Sequence, residues 1–328
     1  MSRVARDLNT VPEISIVVPV YRSEDCLDAL YAAISEALVG MRFELVLVND
    51  FSPDGSWSRI ESLCARYSNV IGVNLRKNFG QDCAILTGMR YVSGANVAIM
   101  DDDLQHDPQD LVLLLTQLRS EGTDIVYANY ALKKKQNLWK NMGSWLNGKI
   151  AEILISKPKE IYLSPYKLMR REIAELICNY SGPGPYVDGL IFQHTSRISQ
   201  IPVLHRARIS GQSNFTFFKS LAVGARLAFS FSVIPLRIAT CFGLVFAICG
   251  LLLVIIIAMM RLMQPAEYTA AVGWASLAVL TLIVSGVQLV FLGVLGEYSG
   301  RTFLRLNGNP QSSVATVLNA QDMRVLCG

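Results

Sequence analysis

Two long stretches of this 328-residue chain contain no charged side chain. They cover residues 238–260 and 272–296, and each exceeds the ~18 apolar residues that suggest a membrane-spanning helix. With 52% hydrophobic and 17% charged residues, the composition is also unusual for a soluble protein. We therefore predict two transmembrane helices, at about residues 236–262 and 272–296. Two buried helices of a large soluble core are the alternative, but such helices are usually shorter and carry a polar stripe.

A secretory signal is also absent, because the first 13 residues are polar and the apolar run at 14–20 is too short. The eleven residues between the two uncharged stretches, 261–271, include only two charged residues, Arg261 and Glu267. Basic residues flank the spans on their outer sides: Lys219, Arg226, Arg237, Arg301 and Arg305. Because Lys and Arg concentrate on the cytoplasmic side of membrane proteins, we expect both ends of the chain to face the cytoplasm.

Paired cysteines and aromatic-rich basic stretches are missing as well. The seven cysteines include no Cys-x-x-Cys pair, which argues against a zinc site and, in a reducing compartment, against disulfides. A net charge of +4 without a nucleic-acid motif predicts no nucleic-acid partner. Basic residues before the first span would meet anionic lipid heads or phosphates, or would form an ordinary solvated surface. They are Lys133, Lys134, Lys135, Lys140, Lys149, Lys157, Lys159, Arg206 and Arg208.

Short β-branched runs alternate with helix-length segments through the first 130 residues. The runs at 14–19, 43–49, 70–75, 96–100 and 124–130 predict strands, and the segments at 24–38, 55–67, 80–92 and 108–121 predict helices. This alternation predicts an α/β fold with a Rossmann-like, mainly parallel sheet and helices on both faces. Ligands of such sheets bind beyond the carboxyl ends of the strands, so the residues that follow each strand are the candidates for chemistry.

The first strand ends in residues 19–24 (PVYRSE), a segment without glycine. Neither a Gly-x-Gly-x-x-Gly dinucleotide loop nor a P-loop can form there. The fourth strand instead ends in residues 101–105 (DDDLQ). Carboxylates crowded at a buried strand end raise each other's pKa, and Mg²⁺ or Mn²⁺ would relieve the repulsion while leaving positions for a phosphate. Asp101 and Asp103 point to the same side of an extended chain and form the expected pair; a solvated acidic turn is the alternative.

Together, the strand-end segments resemble the family-2 inverting glycosyltransferases with a GT-A fold. The matching segments are 16–21 (IVVPVY), 48–54 (VNDFSPD), 76–81 (RKNFGQ) and 100–105 (MDDDLQ). The C-terminal half, with 235–237 (PLR), the two predicted spans and 295–301 (LGEYSGR), is similar to polyprenyl-phosphate glycosyltransferases such as the bactoprenol glucosyltransferases and the aminoarabinose transferase. The resemblance covers nearly the whole chain.

The resemblance implies roles for the matching residues. Nucleotide-sugar binding would fall to Pro19, Val20, Tyr21, Asp50, Gln81, Asp101 and Asp102. Asp101, Asp103 and Gln105 would hold Mg²⁺ or Mn²⁺ together with the diphosphate, which makes Asp103 a catalytic candidate. Arg208, in residues 208–213 (RISGQS), matches the arginine of the family's Arg-x-x-Gly-x-Ser-Lys segment and should face a phosphate.

Three departures from the family pattern affect this interpretation. Residues 20–24 read VYRSE where the family usually has Val-Tyr-Asn-Glu, and Asn214 replaces the lysine of the arginine segment. Many relatives have Gly-Asp-Phe-Arg-Leu where this chain has 164–168 (SPYKL), so Pro165 replaces a catalytic aspartate. Asp188 is the nearest substitute, or else an ordinary turn residue. A phosphate acceptor has a second pKa near ~6 and is largely dianionic at neutral pH, so as a nucleophile it needs no general base to remove a proton.

These features predict inverting transfer of a sugar from a UDP-sugar, or less readily a GDP-sugar, to polyprenyl phosphate at the cytoplasmic face of the bacterial inner membrane. Residues 1–210 would form the GT-A domain, 211–234 an amphipathic helix in the membrane interface or packed on the domain, 235–300 the multi-pass anchor, and 301–328 a tail. Residues 309–326 are long enough to pair with another subunit of a homo-oligomer.

A processive polysaccharide synthase is disfavoured because Gln-x-x-Arg-Trp is absent, whereas a catalytically silent nucleotide-sugar-binding protein stays an alternative.

Overall fold

The computed structural model describes residues 11–130, 161–182, 184–203, 234–263, 273–307 and 310–320. Contacts divide the chain into two compact units, Met1–Ser220 with Gly308–Gly328 and Leu221–Asn307. In the described part of the first unit, eight strands form one sheet: β1 (Ile14–Val20), β2 (Phe43–Asn49), β3 (Val70–Leu75), β4 (Asn96–Ile99), β5 (Ile125–Asn129), β6 (Lys167–Arg170), β7 (Ile198–Pro202) and β8 (Val314–Leu318). Its helices are α1 (Leu27–Ala37), α2 (Ser56–Arg66), α3 (Gln81–Met89), α4 (Asp110–Ser120), α5 (Arg171–Cys178) and α6 (Val187–His194).

The strands lie in the order β7-β5-β6-β4-β1-β2-β3-β8. Strands β4, β1, β2 and β3 run parallel to one another, as the alternation of runs predicts. Strand β6 lies antiparallel between β4 and β5, and β8 lies antiparallel beside β3, so the sheet is mixed. The chain therefore has the predicted α/β architecture, with three strands, β6, β7 and β8, that the sequence pattern does not predict.

The core forms because alternate residues of the central strands point to opposite faces of the sheet. Ile16 and Val18 of β1 belong to the buried cluster that includes Leu30 and Ile34 of α1. On the other face α3 packs directly on β1 and β2, where a Cβ at Gly88 would lie 2.6 Å from Val17 Cγ1. A side chain at that position would push α3, whose first residue lines the cleft described below, away from the sheet.

The last described segment, residues 310–320, belongs to the sheet. Strand β8 pairs with β3, and the backbone N–H of Arg76 donates to the carbonyl of Ser313 at 2.8 Å. The side-chain amide of Asn319, which has a left-handed φ of 59°, donates to the carbonyls of Cys64 and Val70 at 2.7 and 3.0 Å. The predicted tail thus contributes an edge strand to its own chain's sheet.

The second unit contains α7 (Ile234–Met263) and α8 (Trp274–Leu306). Among the described residues, one helical stretch is long and apolar enough to cross a membrane, Ile283–Leu306, and Leu236–Leu252 is a shorter apolar stretch. Helix α8 continues ten residues beyond the predicted end of the second span at 296. Two transmembrane helices therefore stay a prediction, and residues 211–233 of the predicted interfacial helix lie outside the described residues.

We predict that Asn319→Asp lowers the free energy of unfolding by about 1–2 kcal/mol, because aspartate keeps the shape and lacks the N–H donor. Thermal unfolding of the detergent-solubilised protein measures the effect. Thr316→Ser, at an exposed position of β8, is the matched control and should stay within about 0.5 kcal/mol of the wild type. Equal stability of both variants would contradict an anchoring role for Asn319.

Candidate active site

A cleft of about 490 Å³ lies at the carboxyl ends of β1, β2 and β4 and the start of α3. Its position follows from the strand order, because β2 and β3 lie on one side of β1 and β4 lies on the other side. Such a reversal opens a crevice beyond the strand ends. The lining residues are Pro19, Val20, Tyr21, Arg22, Ser23, Cys26, Asp50, Asn78, Gly80, Gln81, Asp101, Asp102 and Asp103. The structure therefore brings together all the residues predicted to bind the nucleotide sugar.

Three loops around the cleft hold a non-glycine residue in the left-handed region. Arg22, Phe51 and Leu104, which follow β1, β2 and β4, have φ values of 60°, 56° and 58°. This conformation is uncommon for large side chains and costs on the order of 1–3 kcal/mol each. Strain of this kind concentrates at functional sites, where the surrounding structure maintains it.

Asp50 fixes the loop that leads into α3. Its Oδ1 accepts the backbone N–H of Phe79 at 2.7 Å, and its Oδ2 accepts that of Gly80 at 2.9 Å. Gly80 has a φ of 93°, which glycine adopts without steric cost, and Gln81 follows as the first residue of α3. Asp50 is buried, so a contact with a nucleobase would use only the lone pairs that these two bonds leave free.

The acidic run after β4 distributes its side chains over different partners. Asp101 Oδ1 accepts from Gln81 Nε2 at 2.8 Å, and Asp103 Oδ1 accepts the backbone N–H of Gln105 at 3.1 Å. Asp102 contacts the loop after β1 instead, because its Oδ2 accepts from the backbone N–H of Tyr21 at 3.2 Å. Gln105 itself is not part of the cleft lining.

The electrostatics of the run favour a bound cation. Burial, together with the charges of Asp103 and Asp102, raises the pKa of Asp101 to about 7. No group of three or more His, Cys, Asp or Glu side chains within the described residues forms a complete metal cage. A Mg²⁺ or Mn²⁺ ion that binds a diphosphate commonly uses one or two carboxylates and takes its other ligands from phosphate and water. The donor chemistry of Asp101 and Asp103 fits such an ion.

Three aromatic rings lie behind the run. His106 is buried and stacks on Tyr166 and Tyr130, with ring centroids 4.8 and 5.7 Å apart. Its Nδ1 accepts the backbone N–H of Asp101 at 3.3 Å, and Tyr166 Oη donates to the carbonyl of Asp107 at 3.0 Å. The segment that begins at Pro165 thus supports the acidic run. The sequence does not predict the contact between His106 and Tyr166, because these residues lie 60 positions apart in the chain.

The catalytic candidate Asp188 lies elsewhere. Asp188 is not part of the cleft lining; it forms a nearly buried ion pair with Lys167 and accepts from Tyr127 Oη at 2.8 Å. A carboxylate engaged by a cation and a hydroxyl is a weak candidate for a general base, so the geometry favours a structural role. Arg208 and Asn214, together with the lysines at 133–159, lie outside the described residues.

Comparison with known proteins agrees with this fold and cleft. The family described as Glycosyl transferase family 2 matches residues 15–177. An uncharacterised glycosyltransferase of Synechocystis is 30% identical over 304 residues, 91% of this chain and 93% of the relative. The undecaprenyl-phosphate 4-deoxy-4-formamido-L-arabinose transferase of Serratia proteamaculans is 29% identical over 328 residues, 98% and 97% of the two chains.

A solved structure shares the fold. Glucosyl-3-phosphoglycerate synthase from Mycobacterium tuberculosis, in complex with Mn²⁺, UDP and phosphoglyceric acid, superimposes with a TM-score of 0.50 at 18% identity, over 66% of this chain and 76% of that chain. The mixed sheet with a cleft at its strand ends is therefore GT-A-like. The chain belongs to glycosyltransferase family 2, and the protein is a glycosyltransferase.

We predict that Asp101→Asn stabilises the cation-free protein above pH 7. The folded pKa of about 7 exceeds the unfolded value near ~3.9, so ionisation of Asp101 costs stability as the pH rises through this window. Unfolding curves should show a gain of about 1–3 kcal/mol at pH 8 that disappears at pH 4. Exposed Asp25→Asn is the control, and Mn²⁺ should stabilise the wild type more than the Asp101 variant. A gain that does not vary with pH would contradict this origin.

We also predict that Asp188→Asn destabilises the fold by about 3–5 kcal/mol, because it leaves the buried ammonium of Lys167 without its counter-charge. The double variant Lys167→Met, Asp188→Asn removes both charges and should recover most of the loss. Chemical denaturation measures both effects. If the single variant kept its stability and lost only turnover, Asp188 would have a catalytic role after all.

Proposed function

We propose that the protein transfers a sugar from a nucleotide sugar, UDP-linked in preference to GDP-linked, to a membrane polyprenyl phosphate, with inversion at the anomeric carbon. The main observation that supports the proposal is the cleft. Its lining combines the acidic run with the predicted nucleotide-binding residues Pro19, Tyr21, Asp50 and Gln81. The name of the Serratia relative specifies an undecaprenyl-phosphate acceptor, and the Mycobacterium structure contains UDP and Mn²⁺. Both support the proposal.

The donor would occupy the cleft with its nucleoside beside the loops after β1 and β2 and its diphosphate beside the acidic run. Asp101, Asp103 and Gln105 would hold Mg²⁺ or Mn²⁺. When bound, the ion supplies a Lewis acid that neutralises charge on the departing diphosphate. Gln81 binds the Asp101 carboxylate and the ring of His106 accepts the Asp101 backbone N–H, so Asp101 is held in place and little reorganisation is needed during the reaction.

The acceptor explains why the site needs no general base. A phosphate monoester is largely dianionic at neutral pH and attacks without losing a proton. The absence of a requirement for a base fits this chain, because the exposed Pro165 replaces the expected aspartate and Asp188 is engaged by Lys167. We assign Arg208 to the acceptor phosphate, since it belongs to the family's arginine segment.

The apolar helices would place this reaction at the cytoplasmic face of the bacterial inner membrane. We propose that α7 and α8 span the bilayer in two passes, that residues 211–234 lie in the interface, and that residues 1–210 form the cytoplasmic catalytic part. Residues from the predicted tail complete the sheet of that part. A homo-oligomer stays a prediction.

The purified full-length protein should convert labelled UDP-sugar and undecaprenyl phosphate, with Mn²⁺, into chloroform-extractable label. A panel of UDP- and GDP-sugars identifies the donor, and the anomeric configuration of the product, read by NMR, tests inversion. We predict that Asp103→Asn lowers kcat by about 100-fold or more, because it removes a cation ligand. Exposed Asp25→Asn is the matched control. Full turnover by the Asp103 variant, or no product across the panel, would reject the proposal.

A further inference from the structure

Ser23, in the loop after β1, contacts both the start of α2 and the acidic run. Its backbone N–H donates to the hydroxyl of Ser56, the first residue of α2, at 3.1 Å. Its own hydroxyl donates to Asp102 Oδ2, in the acidic run. The left-handed φ of Arg22 turns the chain so that both groups of Ser23 reach their partners. Ser23 therefore connects the start of α2 with the residues that follow β4.

Asp102 differs from the two carboxylates beside it in what it contacts. One of its oxygens accepts from both the backbone N–H of Tyr21 and the hydroxyl of Ser23. Asp101 and Asp103 contact Gln81 and the backbone of Gln105 instead. Hydrogen bonds to a charged acceptor are roughly twice as strong as neutral ones, so these two donors hold the Asp102 side chain against the loop after β1.

We propose that Ser23 and Asp102 form a latch that fixes the loop after β1 against the acidic run, and that Asp102 is a positioning residue rather than a ligand of the cation or diphosphate. The inference rests on the proposed function in that the cleft takes a nucleotide and a divalent cation. In the family pattern Val-Tyr-Asn-Glu, the position of Ser23 holds glutamate, which in its ionised form has no hydroxyl to donate. Ser23 supplies the hydroxyl that the contact requires.

The latch predicts that nucleotide affinity and cation affinity respond differently to substitution. Opening it frees Tyr21 and the neighbouring cleft wall, and binding must then order this loop again. UDP should consequently bind more weakly. The ligands Asp101 and Asp103 keep their own partners, so Mn²⁺ binding should change little.

Calorimetric titration of the full chain with UDP at saturating Mn²⁺ tests the first effect. Ser23→Ala and Asp102→Ala should each weaken UDP binding about tenfold, and the double variant should bind no more weakly than Asp102→Ala, because Asp102→Ala already removes the contact that Ser23→Ala removes. Ser23→Thr keeps the hydroxyl and Asp102→Asn keeps an acceptor oxygen, so both should stay within about threefold of the wild type. Additive losses from the two alanine variants would overturn the latch.

Electron paramagnetic resonance with Mn²⁺ alone tests the second effect. Asp102→Asn should bind Mn²⁺ within about twofold of the wild type, whereas Asp103→Asn should lose most of its affinity. A loss in Asp102→Asn as large as that in Asp103→Asn would make Asp102 a ligand and overturn the proposal.

Hydrogen exchange separates the latch from the proposed function. The Tyr21 amide should exchange faster in Ser23→Ala and Asp102→Ala than in the wild type, with no nucleotide present. Unchanged exchange would overturn the latch even if the protein binds UDP. Wild-type protein that binds no UDP, but shows the expected exchange, would reject the proposed donor while leaving the loop contact established.

Discussion

The crowding of three consecutive, partly buried carboxylates at the end of β4 is the constraint around which the cleft is organised. Each carboxylate has donors from a different place: Asp101 from Gln81 of α3, Asp102 from the loop after β1, and Asp103 from its own loop. These donors offset burial and mutual repulsion only in part, because the pKa of Asp101 stays raised. The same contacts that make the run tolerable also hold three loops in place around one space.

Among the described residues, the positions considered for a general base are occupied or engaged by other groups. Pro165 is exposed, Asp188 is engaged by Lys167, and His106 stacks on two tyrosine rings while its Nδ1 accepts the Asp101 amide. On the proposed function, the reaction would depend on positioning and charge stabilisation. A nucleophile that is already an anion suits these conditions, which connects the geometry with the proposed phosphate acceptor.

Sequence periodicity predicts the first half of the sheet well, because its strands are apolar and buried on both faces. The bounds of β2 and β3 agree with the predicted runs, and β4 ends one residue earlier. The short helices α5 and α6 and the short strand β6 have no comparable pattern, and β7 and β8 form through pairing with distant residues. Short elements of this kind depend on tertiary context more than on their own sequence.

The composition of the cleft is predictable for a related reason, since ligands of parallel sheets bind beyond the strand ends. Its internal contacts are not. Asp50 accepts the amides before α3, and Ser23 donates to Asp102. The loops that make these bonds contain left-handed residues such as Arg22 and Phe51, and neither residue type predicts that conformation. The ion pair that engages Asp188 likewise requires β6, whose antiparallel position between β4 and β5 places Lys167 beside Tyr127.

Strand β8 has a consequence for the order in which the protein is made. The ribosome synthesises β1 to β7 and both apolar helices before the residues of β8, so β3 has no partner on its outer side until then. An open strand edge invites pairing with other chains. The sheet is therefore completed only after the apolar helices have been synthesised. Nascent chains that stall before residue 314 would expose the edge of β3, which could pair with other chains and aggregate.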